Sequence, residues 1–330
     1  MLYIENIFIY LILLSIGILI SKKLEFTDKP NRNRRTVHKT SIINTGGLIL
    51  YLFFLLTTFK YEVDRNIELI IHSASIIVLI GFIDDRINLS PKIKILFISI
   101  LCFYLISKGI RIYDLGDYDL IGKLNLGKFG FIFLLLASGL LINATNYSDG
   151  VDGLLLIFFL ICLNYYLFLT DNSDLKYFIK ILIIPVLINL FFNLLPEKTN
   201  LKIFSGNTGS LFVGFFISFL TIELYRNYKI HPTFLIWPLW YPVYDFLYVS
   251  LNRFIKNKSI FEADNNHFHH YLLKKFNNNH YLSTLVFAIL NIVVIFLGYK
   301  LTEQSKLFSL ILFFICFFIY FLFRKIIDKY

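Results

Sequence analysis

Uncharged, mostly apolar runs alternate with short polar stretches along the whole chain, at roughly 3–21, 42–59, 67–83, 93–108, 129–147, 153–170, 177–195, 208–224, 232–251, 281–299 and 307–323. A helix rises about 1.5 Å per residue, so a run of roughly 18 residues reaches across most of a hydrocarbon core about 30 Å thick. Helices also satisfy their own backbone groups, which an open strand in lipid does not. The pattern predicts an all-α polytopic membrane protein with about 11 transmembrane helices. No internal repeat, low-complexity tract or soluble linker interrupts it, so residues 1–330 read as a single integral-membrane domain. The first run has no basic stretch before it and no small-residue cleavage site after it; it is expected to stay as a helix.

Composition agrees. At 57% hydrophobic and 16% charged, with a mean hydropathy of +0.68, the chain lies outside the range of soluble domains. Cys102, Cys162 and Cys316 sit inside apolar runs without CxxC spacing, which argues against a disulfide framework or a zinc site. The net charge of +10 does not point to nucleic acid, because Lys and Arg flank the apolar runs and do not gather on one soluble face. Most of them fall in the loops after odd-numbered runs and in the C-terminal tail, with the largest share between Lys22 and Lys39. Positive charge marks the cytoplasmic side. The chain is therefore expected to be a multi-pass membrane protein with its N-terminus outside and its C-terminus in the cytoplasm.

The unusual polar groups keep to that same side. They are "DKPN" through His38, the pair Asp84-Asp85, "NATNYSDGVDG" from Asn143, "SGNTGS" from Ser205, and Asp245 with "ADNNHFHH". Five loops agreeing in this way point to a polar site at the inner membrane surface.

Asn143, Asn146, Asp149 and Asp152 recur every third position, which helical turns would align as one polar stripe able to hold Mg²⁺ or a sugar nucleotide. The plainer reading is a polar loop with turn glycines, since Asp-Gly is a common turn signal. Asp84 and Asp85 are adjacent carboxylates whose repulsion suits a metal ligand or a general base; the alternative is two solvated acids. Lys92 and Lys94 follow, able to pair with those acids or with phosphates. "SGNTGSLFVG" opens a helix with small residues and free N–H groups, which attracts anions but serves close packing equally well. His267, His269 and His270 can donate to phosphate or ligate a metal, though no HExxH or Cys partner supports zinc. Lone His72 and His231 read as structural.

Taken in order, these motifs resemble the polyprenyl-phosphate N-acetylhexosamine-1-phosphate transferases, the glycosyltransferase family 4 type that begins O-antigen, enterobacterial common antigen and teichoic-acid linkage synthesis and is related to the first lipid enzyme of peptidoglycan. The series is D-x-P-N…H…G-G (Asp28, Pro30, Asn31, His38, Gly46, Gly47), D-D, N-A-x-N-x-x-D-G-x-D-G-L, G-x-x-G-S-L and D-x-x-H-x-H-H (Asp264, His267, His269, His270). The resemblance covers almost the whole chain. It implies a Mg²⁺-dependent (or Mn²⁺-dependent) transfer of N-acetylhexosamine 1-phosphate, GlcNAc by default, from a UDP-sugar to undecaprenyl phosphate. UMP is released, in a first membrane step of cell-envelope polysaccharide synthesis. Such chemistry rests on neutralising and positioning two anions.

By the same resemblance, Asp84 or Asp85 activates the lipid phosphate, as base or as charge organiser, with Lys94 on the phosphates. Asn146 gives an oxygen to the metal, Asp149 and Asp152 lie near metal and uridine, and Asn143 lines the substrate wall. His267, His269 and His270 grip the donor phosphates, while Asn31 and His38 close the rim. The expected partners are UDP-N-acetylhexosamine, the polyprenyl phosphate and the bilayer, with a homodimer left open and no nucleic acid.

Some positions depart from the family pattern. Asn207 stands where the family has a metal-binding aspartate, and an amide oxygen brings no negative charge to a hard cation. The spacing to His38 is longer, the prolines before Gly46 are missing, Ile98 replaces a glutamine, and Asn265 replaces a basic residue. Two other readings therefore stay open: a catalytically impaired relative that binds UDP-sugar or lipid phosphate, and a transporter, which predicts polar groups near mid-membrane and paired repeats.

Overall fold

The computed structural model describes residues 2–29, 40–259 and 266–328. Asn31, His38 and Asp264 lie outside the described residues. Every apolar run of the sequence becomes helical. In chain order the helices are α1 (Leu2–Lys23), α2 (Gly46–Lys60), α3 (Arg65–Ile87), α4 (Pro91–Ser107), α5 (Gly130–Ser148), α6 (Leu154–Leu169), α7 (Ser173–Leu194), α8 (Gly206–Arg226), α9 (Pro232–Ile236), α10 (Trp240–Ile255), α11 (Phe268–Lys275), α12 (His280–Gln304) and α13 (Lys306–Ile327). Among the described residues, seven helical stretches are long and apolar enough to cross a membrane: α1, α3, α5 with the short turn before it, α7, α8, α12 and α13. The wider expectation of about 11 rests on the apolar runs, of which those forming α2 and α6 give shorter helices.

Local chemistry sets several boundaries. Asp64 accepts from the Asn66 and Ile67 N–H groups at the start of α3, and Asn172 accepts from Leu175 at the start of α7. The ninth apolar run is broken: a 3₁₀ turn, Trp237–Leu239, containing Pro238 separates α9 from α10. Helix α11, in the polar stretch after α10, was not expected.

Among the described residues there are also two small antiparallel ribbons. β1 (Thr27–Asp28) pairs with β2 (Ile42–Ile43), and β3 (Asp114–Tyr118) pairs with β4 (Gly122–Asn125). The second ribbon joins α4 to α5, at the end of the bundle opposite the acidic motifs.

Helix α8 lies at the centre, sheathed by α2, α3 and α5. Its entire stretch from Thr208 to Leu220 is buried. Small residues allow this closeness, since packing in lipid comes from contact rather than from expelling water. A Cβ at Gly81 of α3 would stand 2.6 Å from the Thr208 Cα, and Gly47 of α2 and Gly214 of α8 leave no more room against Gly209 and Ile142. The N-terminus of α8 is thereby held among the ends of α3 and α5.

Candidate active site

The two acids that end α3 turn to different partners, because neighbours on a helix diverge by about 100°. Asp84 is buried; its Oδ1 accepts from the Leu89 N–H at 2.7 Å and its Oδ2 lies 2.5 Å from Lys94 Nζ on α4. Asp85 reaches across to α8. Its carboxylate accepts from the backbone N–H groups of Asn207 and Thr208 at 2.8 and 3.1 Å and from the Thr208 hydroxyl at 2.8 Å. The anion-attracting helix start read from "SGNTGS" is thus met by the protein's own carboxylate, which the helix dipole favours. Gly206 makes the approach possible: its φ is +65°, and a Cβ there would lie 2.5 Å from Asn44 Oδ1 and 2.7 Å from Asp85 Oδ2.

The last turn of α5 meets the same helix start. Asn146 Nδ2 donates to Asn207 Oδ1 at 2.9 Å and to Ser210 Oγ at 2.8 Å, and the Thr145 hydroxyl donates to the Ser210 carbonyl at 3.1 Å. Asn143 does not join them; its amide donates to the Gly139 carbonyl of its own helix. The expected four-residue stripe ends early, because α5 stops at Ser148 and Gly153 adopts a φ of +78°. Asp149 caps the helix, exposed on one side and surrounded by protein at longer range. The surrounding protein and the charges of Asp85 and Asp152 push its carboxyl above the usual carboxylate range.

Asp152 turns elsewhere. Its Oδ2 lies 2.5 Å from the buried Lys202 Nζ, its N–H donates to His280 Nδ1 at 3.1 Å, and its carbonyl accepts from the Thr284 hydroxyl at 2.6 Å. Gly153 N–H donates to Asn193 Oδ1, whose amide in turn holds the Ile203 carbonyl. The loop between α5 and α6 is therefore strapped to α7, α12 and the segment before α8. Neither Lys202 nor His280 stood out in the sequence, since a lone Lys and a lone His carry no spacing signal.

The histidines close the opposite side. A Cβ at Gly150 would lie 2.6 Å from His269 Nε2 and 2.9 Å from the His270 ring, so the glycine is what lets the loop meet them. His267 stacks between Tyr147 and His269, with ring centroids 5.8 and 5.4 Å apart. His269 is fully buried; its Nδ1 shares a hydrogen with Tyr241 Oη at 3.0 Å, and among the described residues its Nε2 has no hydrogen-bond partner. Burial and the neighbouring His270 and His267 hold its pKa well below the usual imidazole range.

Among the described residues no three His, Cys, Asp or Glu form a metal-holding group. What meets at the start of α8 is a mixed set of oxygen donors, the carboxylate of Asp85 with the amides of Asn146 and Asn207, and Asp149 lies near enough to Asp85 for their charges to interact. Hard oxygen atoms beside crowded negative charge suit a divalent cation such as Mg²⁺. Asn207 Oδ1 accepts from Asn146 Nδ2, and a half-turn of the Asn146 amide would release that oxygen and bring Asn146 Oδ1 beside it.

Residues 67–225 match the model of glycosyl transferase family 4. Similarity to curated proteins extends further. An undecaprenyl-phosphate alpha-N-acetylglucosaminyl 1-phosphate transferase of Escherichia coli (strain K12) is 28% identical over 91% of this chain and 84% of its own length. The protein of that name from Yersinia pestis is 27% identical over 94% and 89%. A probable undecaprenyl-phosphate N-acetylglucosaminyl 1-phosphate transferase of Bacillus subtilis (strain 168) is 28% identical over 95% and 87%. The resemblance read from the motifs holds. The stretch that matches the family model runs from α3 through α8, so it includes Asp84, Asp85, Lys94, Asn146, Asp149 and Asn207, while His267, His269 and His270 lie beyond it.

Proposed function

We propose that this protein transfers N-acetylhexosamine 1-phosphate, GlcNAc by default, from a UDP-sugar to undecaprenyl phosphate. A lipid-phosphate oxygen would bond to the β-phosphorus of the donor, the bond from that phosphorus to the bridging oxygen would break, and UMP would leave with the electron pair. The observation that carries the reading is the meeting of Asp85, Asn146 and Asn207 at the start of α8, beside the Asp84–Lys94 pair.

Each group has a task under this reading. Lys94, close to Asp84, offers its ammonium to the phosphates, and Asp84 or Asp85 organises the attacking anion. Asn146, Asp149 and Asn207 would hold Mg²⁺, which when bound supplies positive charge to the phosphates. His267, His269 and His270 would face the donor, and the Nε2 of His269, without a partner among the described residues, is one atom available to it. Lipid carrier and water-borne donor meet at a membrane surface, and the charge pattern supports the cytoplasmic one.

The test is UMP release by purified protein given UDP-GlcNAc, undecaprenyl phosphate and Mg²⁺. Lipid-dependent UMP is expected from wild type and not from Asp84→Asn or Asp85→Asn. If no UDP-N-acetylsugar yields it, the catalytic reading fails. A second reading, a relative that binds donor without turnover, draws on Asn207 and its bond to Asn146. Donor binding by wild type with turnover only in Asn207→Asp would favour it.

A further inference from the structure

Behind the histidines lies a buried ionic network outside the stretch that matches the family model. Asp245 on α10 is almost fully buried, and four groups meet its carboxylate. Oδ2 lies 2.7 Å from His267 Nδ1; Oδ1 accepts from the Phe268 N–H at 3.0 Å and the Tyr320 hydroxyl at 2.7 Å, and Arg324 Nη1 stands 3.6 Å from it. Arg324 is itself only 1% exposed. It donates from Nη2 to the Asn266 carbonyl at 2.5 Å, and its guanidinium lies over the rings of Tyr248 and Phe268.

An arginine and an aspartate buried in a membrane protein are costly to keep. Here the arrangement has a geometric result. A carboxylate only accepts hydrogen bonds, so Asp245 requires the hydrogen of His267 to sit on Nδ1. Nε2 is then the nitrogen left to exchange a hydrogen with a ligand. Stacking between Tyr147 and His269 fixes the plane of the ring. Arg324 holds both supports of that ring at once, the Asp245 carboxylate and the backbone carbonyl of the residue preceding His267.

We propose that Arg324 and Tyr320, on the last helix of the chain, are positioning residues for the histidine cluster. Through Asp245 and Asn266 they set the tautomer and placement of His267 against the nucleotide-sugar phosphates. This rests on the transferase reading above for its ligand, but not for its geometry. α13 then contributes to the donor side of the site without touching the substrates.

The experiment compares full-length wild type, Arg324→Met, Arg324→Lys and Tyr320→Phe in detergent. KM is measured separately for UDP-GlcNAc and for undecaprenyl phosphate, and ¹⁵N spectra of labelled histidine are recorded, with His267 assigned through His267→Gln. Arg324→Met is expected to raise the donor KM at least tenfold with the lipid KM unchanged, and to convert His267 from one tautomer to a mixture. Arg324→Lys should restore part of the donor KM. Tyr320→Phe, which removes one hydroxyl and little packing, should raise it about threefold. A donor KM within twofold of wild type in Arg324→Met, or an equal rise for both substrates, overturns the proposal. If wild type turns over no UDP-sugar, the transferase reading falls and the spectra decide alone. An Nδ1–H tautomer lost in Arg324→Met then supports the positioning role, and an unchanged resonance overturns it.

Discussion

At the scale of single residues, the site depends on where small groups let polar ones meet. A Cβ at Gly206 would be strained on its left-handed backbone and would crowd Asn44 and Asp85. Gly206→Ala is expected to cost about 1–3 kcal/mol, read as a lowered melting temperature. Asn207 is the position where substitution should improve a property. Replacing its amide by a carboxylate adds charge to an oxygen set that already suits Mg²⁺, so Asn207→Asp should lower the Mg²⁺ concentration for half-maximal thermal stabilisation at least tenfold, and EDTA should abolish the stabilisation. An unchanged Mg²⁺ midpoint would separate Asn207 from the metal. The acids at the end of α3 were legible as chemistry because two adjacent carboxylates beside an apolar run are conspicuous. Their division of labour was not legible. Which of them faces Lys94 and which faces α8 depends on helix rotation, and one residue of phase exchanges the two.

At the scale of elements, ion pairs and ribbons tie helices that hydrophobicity alone would leave free to slide. Lys202 and Asp152 join the segment before α8 to the loop before α6. Lys202→Met takes the ammonium from a mostly buried carboxylate and leaves it to the His280 ring 3.3 Å away, which is expected to cost about 3 kcal/mol. Lys202→Met with Asp152→Asn should cost less than the single change, which thermal melting of the set would show. At the far end, Asp114 of β3 accepts from the Tyr225 hydroxyl of α8, from the Gly116 N–H at 3.1 Å and from Lys123 at 3.0 Å. Burial pushes its carboxyl up, but the bonds from Tyr225, Lys123 and Gly116 outweigh this and hold it below the usual carboxylate range. A folded pKa below the unfolded one contributes stability that is present above the unfolded value and lost as pH falls through the folded one. The melting temperature of wild type should therefore fall more steeply below about pH 4 than that of Asp114→Asn. These elements were hard to foresee. Ribbons of two to five residues leave too few positions for an alternating pattern, and the hydrogen bond from Tyr320 to Asp245 joins residues 75 apart in sequence.

For the whole molecule, apolar length was the dependable signal, because each helix in lipid must close its own hydrogen bonds within one continuous stretch. Each run became helical, including the ninth, which Pro238 divides. What length did not reveal is rank among the helices. Exposed Ile, Leu and Phe line much of α1, α12 and α13, whereas α8 is covered on nearly every side. Its sequence hints at this only through Gly209, Ser210, Gly214 and Ser218, small residues whose purpose is visible once neighbours press against them.

That central helix also begins at Gly206 and Asn207, so the trunk of the molecule and the tip of its site are one continuous rod. Warming the protein should then extinguish ligand binding and cooperative structure in a single transition, with no intermediate temperature at which a loosened pocket rides on an intact scaffold.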